Sequence, residues 1–275
     1  MANIISRSLQ ERLLNMGTVL VAFSGGVDST LVLKSAAEVL GSSKVLAVTA
    51  ASETYPAAEM ENARKIAQLI GVRHIVIDTE EMENELFVKN PPDRCYHCKT
   101  VLFMKLKALA ADYGLNFVVD GSNADDISDY RPGAKAAREL GIRSPLQEAG
   151  LSKAEIRQIC RDLGLPNWDK PGMPCLSSRI PYGQPITREK LRQIDQAETF
   201  LRSLGIKDLR VRHHGSLARI EVPLRIIDEI LSESLRPEII KKLEAIGFKY
   251  VSVDLKGLRS GSFNEILPEE TRYGQ

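Results

Sequence analysis

"TVLVAFSGGVDSTLVLKSAAEVLG", residues 18–41, is the stretch whose reading decides the fold. Residues 18–23 form a short β-branched run, the mark of a buried strand. Leu31, Leu33, Lys34, Ala37, Val39 and Leu40 follow at helical spacing, and Gly41 stops them. Between strand and helix lies "SGGVDS". Ser24, Gly25 and Gly26 let the backbone bend tightly and turn its N–H groups toward an anion, and the helix start adds a favourable dipole. Ser29 and Thr30 add hydroxyl donors, while Asp28 caps the helix or helps to hold magnesium. No Gly-Lys-Ser/Thr closes the loop, so it is not a Walker A motif. The competing reading is a capped turn with spare glycines.

Outward from this loop the same alternation continues. Residues 44–50, 73–79 and 116–121 read as strands, and 142–146 as a short fifth strand. Residues 56–71, 96–114 and 151–164 read as helices, as does a short run near 131–141; the third opens with a capping box, Ser152 to Glu155. Strands alternating with helices predict an α/β fold, a parallel sheet with helices on both faces. Ligands of such sheets sit beyond the carboxyl ends of the strands. Thr49 and Gly121, at two of those ends, join the loop residues as nucleotide-binding candidates.

Residues 165–187 contain five prolines and two glycines, which excludes a regular helix or a central strand. Beyond them a helix, two strands, two helical stretches and a last strand predict a small C-terminal α+β domain. The expected division is 1–165, a Pro-rich segment 166–187, and 188–275. The 275 residues are 43% hydrophobic and 27% charged, ordinary for a globular chain. A net charge of +1 gives no general electrostatic case for nucleic acid or membrane as partner. No run approaches the length of a membrane span, and the N-terminal residues lack the features of a signal peptide, so a cytoplasmic location is expected.

"PPDRCYHCKT", residues 91–100, holds two of the four cysteines, Cys95 and Cys98. In a reducing compartment this spacing suits a metal, a cluster or a redox pair better than a structural disulfide. Cys160 shares the apolar face of its helix with Ile156, Ile159 and Leu163 and reads as core.

"SGGVDS" resembles the PP-loop of the ATP pyrophosphatase superfamily, enzymes that cut ATP between the α- and β-phosphates and adenylate an acceptor. Four further strings, 120–133, 143–150, 174–183 and 209–223, together resemble the LarE family, and the likeness runs through nearly the whole chain in order. LarE proteins are ATP-dependent sulfurtransferases that build the organic part of the nickel-pincer cofactor of lactate racemase. The resemblance implies pyridinium-3,5-biscarboxylic acid mononucleotide as substrate, ATP and Mg2+ as cofactors, sulfide or a sulfur-donor system as partner, and a homo-oligomer. It implies that Cys175 and Asp28 are catalytic. It further implies that Arg179, Arg210, Arg212, Ser178 and Asp126 meet the substrate. Arg210 and Arg212, two apart on a strand, leave the same face, and guanidinium forks suit phosphate and carboxylate. For the acidic loop Asp125, Asp126 and Asp129 the competing reading is solvated turn chemistry, and for a cation site of Glu198 with Asp228 it is ordinary surface carboxylates.

In the single-cysteine branch of the family the equivalent of Cys175 surrenders its own sulfur. With Cys95 and Cys98 present, the resemblance implies the cluster branch, in which Cys95, Cys98 and Cys175 are expected to hold a [4Fe–4S] cluster with one iron open. Zinc with His97 as fourth ligand, and a Cys95–Cys98 redox pair, remain the competitors. Two other functions stay open: a PP-loop enzyme thiolating tRNA, which the neutral charge disfavours, and a nucleotide-binding module without turnover.

Overall fold

The computed structural model describes residues 4–128, 131–259 and 261–268. They form two units. The first comprises 4–81 and 93–173, the second 82–92 and 174–268. The division departs from the expected boundaries in three places: 166–173 stays with the first unit, 174–187 joins the second, and 82–92 leaves the first for the second. The excursion is held by Asn90. Fully buried and at φ 56°, it directs its side-chain amide at the carbonyls of Ile180, Pro181 and Gln184, 2.8–3.2 Å away.

The first unit is built on β1 (Val19–Ala22), β2 (Val45–Ala51), β3 (Arg73–Asp78) and β4 (Phe117–Val119), all parallel in the order β3-β2-β1-β4. Its longer helices are α1 (Arg7–Met16), α2 (Val27–Leu40), α3 (Ala57–Ile70), α4 (Arg94–Asp112), α5 (Pro132–Glu139) and α6 (Lys153–Asp162). Strand alternation divides the core into two layers. Val19, Val21 and Ala47 pack with α1, α2, α3 and α6, while Leu20, Leu46 and Val48 pack with α4 and α5. β1 is therefore apolar on both sides, as a central parallel strand requires.

The chain order reverses at β1, which pairs with β2 on one side and β4 on the other. The loops after β1 and β4 thus flank one crevice, the place where such sheets bind ligands. The expected fifth strand is reduced to a single bridge, Arg143 with Val119. Pro145 has no N–H for a ladder, and the chain turns helical over Pro145–Glu148.

In the second unit α7 (Arg188–Ser203) and α8 (Arg236–Ile246) accompany β5 (Arg210–His214), β6 (Leu217–Glu221) and β7 (Tyr250–Val253). The order is β5-β6-β7, antiparallel then parallel. A two-residue loop with Gly215 at φ 67° joins β5 to β6. Val211, Ala218 and Ile220 face the core with Leu201 and Leu243. Among the described residues no helix is long and apolar enough to cross a membrane.

Candidate active site

The phosphate-type loop follows β1 directly. Gly25 has φ 64°, and a Cβ there would stand 3.0 Å from Ala63 Cβ, so geometry and space both require glycine. Gly26 caps α2 in an extended conformation; a Cβ on it would meet only Ser24 Oγ, at 3.4 Å. Ser29 Oγ donates to Gly26 O at 3.1 Å, so the 3.1 Å contact between the hydroxyls of Ser24 and Ser29 has Ser24 as donor. The Tyr55 hydroxyl donates to Ser24 O. Beside the loop, Ala51, Ser52, Tyr55, Met60, Glu61 and Arg64 line an open cavity of about 370 Å3.

Thr30 and Thr49 do not stand at this surface. Thr30 is fully buried and its hydroxyl accepts from Asn167 at 2.9 Å. Thr49 is 2% exposed and donates to Phe23 O at 2.6 Å; its other contact, 2.8 Å to His74 Nε2, then has the imidazole as donor. Burial, then the charge of Arg64, lowers the His74 pKa and favours that neutral ring. Gly121 acts through backbone approach. A Cβ there would lie 2.8 Å from Ser29 N, so only glycine lets the chain leaving β4 pass so close to the start of α2.

That approach brings the acidic loop to Asp28. The Lys153 ammonium lies 2.5 Å from Asp28 Oδ2, and the Lys153 N–H donates to Asp125 at 2.9 Å. Asp126 accepts from Asn123 N and pairs with Arg131 at 2.8 Å. Burial raises the Asp126 pKa and the Asp28 charge adds to it, against the bond from Asn123 and the charges of Arg131 and Lys153. Asp126 thus belongs to the phosphate-loop unit, not to the unit that carries the three arginines. Asp129 lies outside the described residues.

Sequence reasoning missed Lys153, Asn167 and Tyr55. One signal was present for the first: a lysine in the opening turn of α6 opposes the helix dipole, a local conflict that marks an outside partner.

In the second unit one face of the sheet carries Arg210, Arg212, Arg219 and Glu221. Arg212, 2% exposed, donates to Ser178 O (2.7 Å), Glu221 (2.9 Å) and Ser262 Oγ (2.7 Å), and stacks on Phe263. Arg179, 1% exposed, makes a two-point pair with Glu198 at 2.8 and 3.0 Å, and donates to Pro174 O and Ser178 Oγ. Both arginines, with Ser178, shape the turn that bears Cys175. Glu198 is fully buried and also accepts from Arg202 and Val211 N. Its oxygens are committed to these donors, whereas Asp228 lies exposed on the helical turn Ile227–Ile230, so the pair does not form the expected cation site.

Arg210 differs from its neighbours. It is half-buried, its guanidinium donates to Arg259 O at 3.0 Å, and no carboxylate pairs with it among the described residues. Burial, with the charges of Arg212 and Arg179, pushes its pKa down to about 10. An anion placed there would relieve that repulsion.

Cys95 and Cys98 stand one turn apart at the start of α4, both half-buried, in the first unit. Cys175, half-buried in the second, has its sulfur 2.9 Å from Ser177 Oγ. Cys160 is fully buried, and burial pushes its thiol up to about 12. Among the described residues no three His, Cys, Asp or Glu side chains form a metal-ligand group.

A parallel sheet with a glycine-rich anion loop at its switch point defines the first unit as a PP-loop nucleotide-binding domain. Residues 1–109 match the asparagine synthase family. The chain is 41% identical over 260 residues to the pyridinium-3,5-bisthiocarboxylic acid mononucleotide synthase of Lactiplantibacillus plantarum, covering 94% of each. It is 49% identical to an uncharacterized protein of Synechocystis, over 90% of this chain and 92% of that one. A tRNA-specific 2-thiouridylase of Rhizobium rhizogenes is 30% identical, over 54% of this chain and 47% of its own length. The chain belongs to the LarE family, and is accordingly an enzyme of the transferase class.

Proposed function

We propose that this chain is an ATP-dependent sulfurtransferase acting on pyridinium-3,5-biscarboxylic acid mononucleotide in the making of the nickel-pincer nucleotide cofactor. The observation that carries this reading is the 41% identity to the Lactiplantibacillus synthase over 94% of both chains. The site chemistry supports it. The Ser24–Gly26 backbone and the start of α2 receive the phosphates of ATP. Asp28 offers a hard oxygen of the kind magnesium takes, and Lys153 adds a fixed positive charge beside it. Arg210 receives a phosphate or carboxylate of the substrate.

A substrate carboxylate oxygen attacks the α-phosphorus, and pyrophosphate leaves. A sulfur nucleophile then adds to the acyl carbon; the C–S bond forms and AMP departs with the C–O electrons. Partly accessible Cys95, Cys98 and Cys175 suit a soft iron–sulfur group, and the start of α4 favours thiolates at the first two; Cys160 is unsuited. A [4Fe–4S] cluster on these three residues would supply sulfide from its open iron.

The test is anaerobic reconstitution with iron and sulfide, followed by iron analysis and electron paramagnetic resonance. Wild type and Cys160→Ala should each take up about four irons; Cys95→Ala, Cys98→Ala and Cys175→Ala should not. Binding of zinc without iron, or full iron in Cys95→Ala, would overturn the cluster. Pyrophosphate release that ignores the pyridinium substrate would overturn the adenylation reading.

A further inference from the structure

Asn167 lies 142 residues from the phosphate loop in sequence, yet its side-chain amide donates to Gly25 O at 3.0 Å and to Thr30 Oγ1 at 2.9 Å. The residue is 5% exposed. Its orientation is chemically determined, because a carbonyl only accepts and the NH2 group must face Gly25 O. The other end of the amide, Oδ1, is buried with no hydrogen-bond partner among the described residues. A buried acceptor left in that state is destabilising. An asparagine at this position is therefore poorly explained as a stabilising core residue and better explained by what its donors hold.

One of these contacts holds a peptide plane, and the other ties the amide to the Thr30 hydroxyl in α2. In a trans peptide the carbonyl of one residue and the N–H of the next point in opposite directions. With Gly25 O drawn toward the buried amide, the N–H of Gly26 faces away from Asn167, at the start of α2. Among the described residues its neighbour is Ser24 Oγ at 3.4 Å, a contact long enough to yield to an anion. Gly25 at φ 64° has the freedom that would let this plane rotate. We infer that Asn167 is a positioning residue that locks the Gly25–Gly26 peptide so that the Gly26 N–H is presented to the phosphates of the nucleotide.

This rests on the reading of residues 24–26 as the phosphate loop, and the test separates the two. Binding of magnesium pyrophosphate and of adenosine is measured by calorimetry for wild type, Asn167→Asp and Asn167→Leu. Asn167→Asp keeps the shape but exchanges the NH2 donor for a carboxylate whose charge itself repels phosphate, whereas Asn167→Leu removes the donor at similar size without adding a charge, so a loss shared by both variants reports the missing donor. The expected result is a loss of about tenfold or more in pyrophosphate affinity for both variants, with adenosine affinity within twofold of wild type. A second reading follows the Gly26 amide resonance, which in wild type should shift on adding pyrophosphate and in Asn167→Asp should shift less. Pyrophosphate affinity within twofold of wild type in folded Asn167→Leu overturns the inference. So does equal loss of both ligands from a folded variant, since that is a general structural effect. Failure of wild type itself to bind pyrophosphate overturns the loop reading, and this inference with it.

Discussion

Replacing Glu198 with alanine leaves the Arg179 guanidinium without its counter-ion inside the second unit, held among the described residues only by Pro174 O, Cys175 O and Ser178 Oγ. Arg179 is 1% exposed and loses both partners of its two-point pair, while the N–H of Val211 loses its 3.1 Å acceptor. Arg202 is 26% exposed at its side chain and has solvent to turn to. Removing one member of a buried ion pair costs about 3–5 kcal/mol, far more than the pair itself contributes over an apolar substitute. We expect Glu198→Ala to lower the stability of the second unit by about 4 kcal/mol. With two units no single unfolding free energy is defined, so hydrogen exchange of peptides from β5 and β6 is followed against urea.

The double variant Glu198→Ala with Arg179→Met should regain most of the loss, because no buried charge is then left without its counter-ion there. The pH dependence follows the same carboxylate. Burial pushes the Glu198 pKa up, but Arg179, then Arg202 and the Val211 N–H, pull it further down, and the net shift is downward. A depressed carboxyl pKa contributes stability that is fully present above the unfolded value, about 4.3. It is lost as pH falls through the folded value. Wild type should lose protection in acid more steeply than Glu198→Gln. A loss below about 1 kcal/mol in Glu198→Ala, the level of an exposed pair, would refute the reasoning. So would a double variant no more stable than Glu198→Ala.

Asn90→Ala removes the amide from three carbonyls and puts alanine at φ 56°, and should destabilise the second unit by about 2–4 kcal/mol. Asn90→Gly, free of the backbone strain, should recover part of this in a urea titration; an equal or larger loss would contradict it. Brief treatment of cluster-free protein with N-ethylmaleimide at neutral pH should label Cys95, Cys98 and Cys175 and spare Cys160, whose thiol sits near 12. Peptide mass spectrometry that finds Cys160 labelled as fast as Cys175 would contradict its burial.

Several features were legible in residue order alone because they are local. The two-residue period of a strand puts Arg210 and Arg212 on one face, and the period of a helix puts Cys160 on the buried side of α6. The spacing of Ser152 and Glu155 announces the capping box that the structure contains. The glycines after β1 mark an anion loop because few other sequences can bend there. What the structure decided depends on partners far apart in the chain. Asp28 meets Lys153, Gly25 meets Asn167, and residues 82–92 join the second unit through Asn90. No period connects such pairs. Thr49 sits at a strand end where a ligand contact was expected, yet its hydroxyl is turned onto Phe23 O in the interior. A hydrogen bond acts over about 3 Å, so which donor reaches which acceptor is settled only after the layers pack. Chemical type is a property of the residue, whereas partnership is a property of distance, and distance is set by tertiary structure.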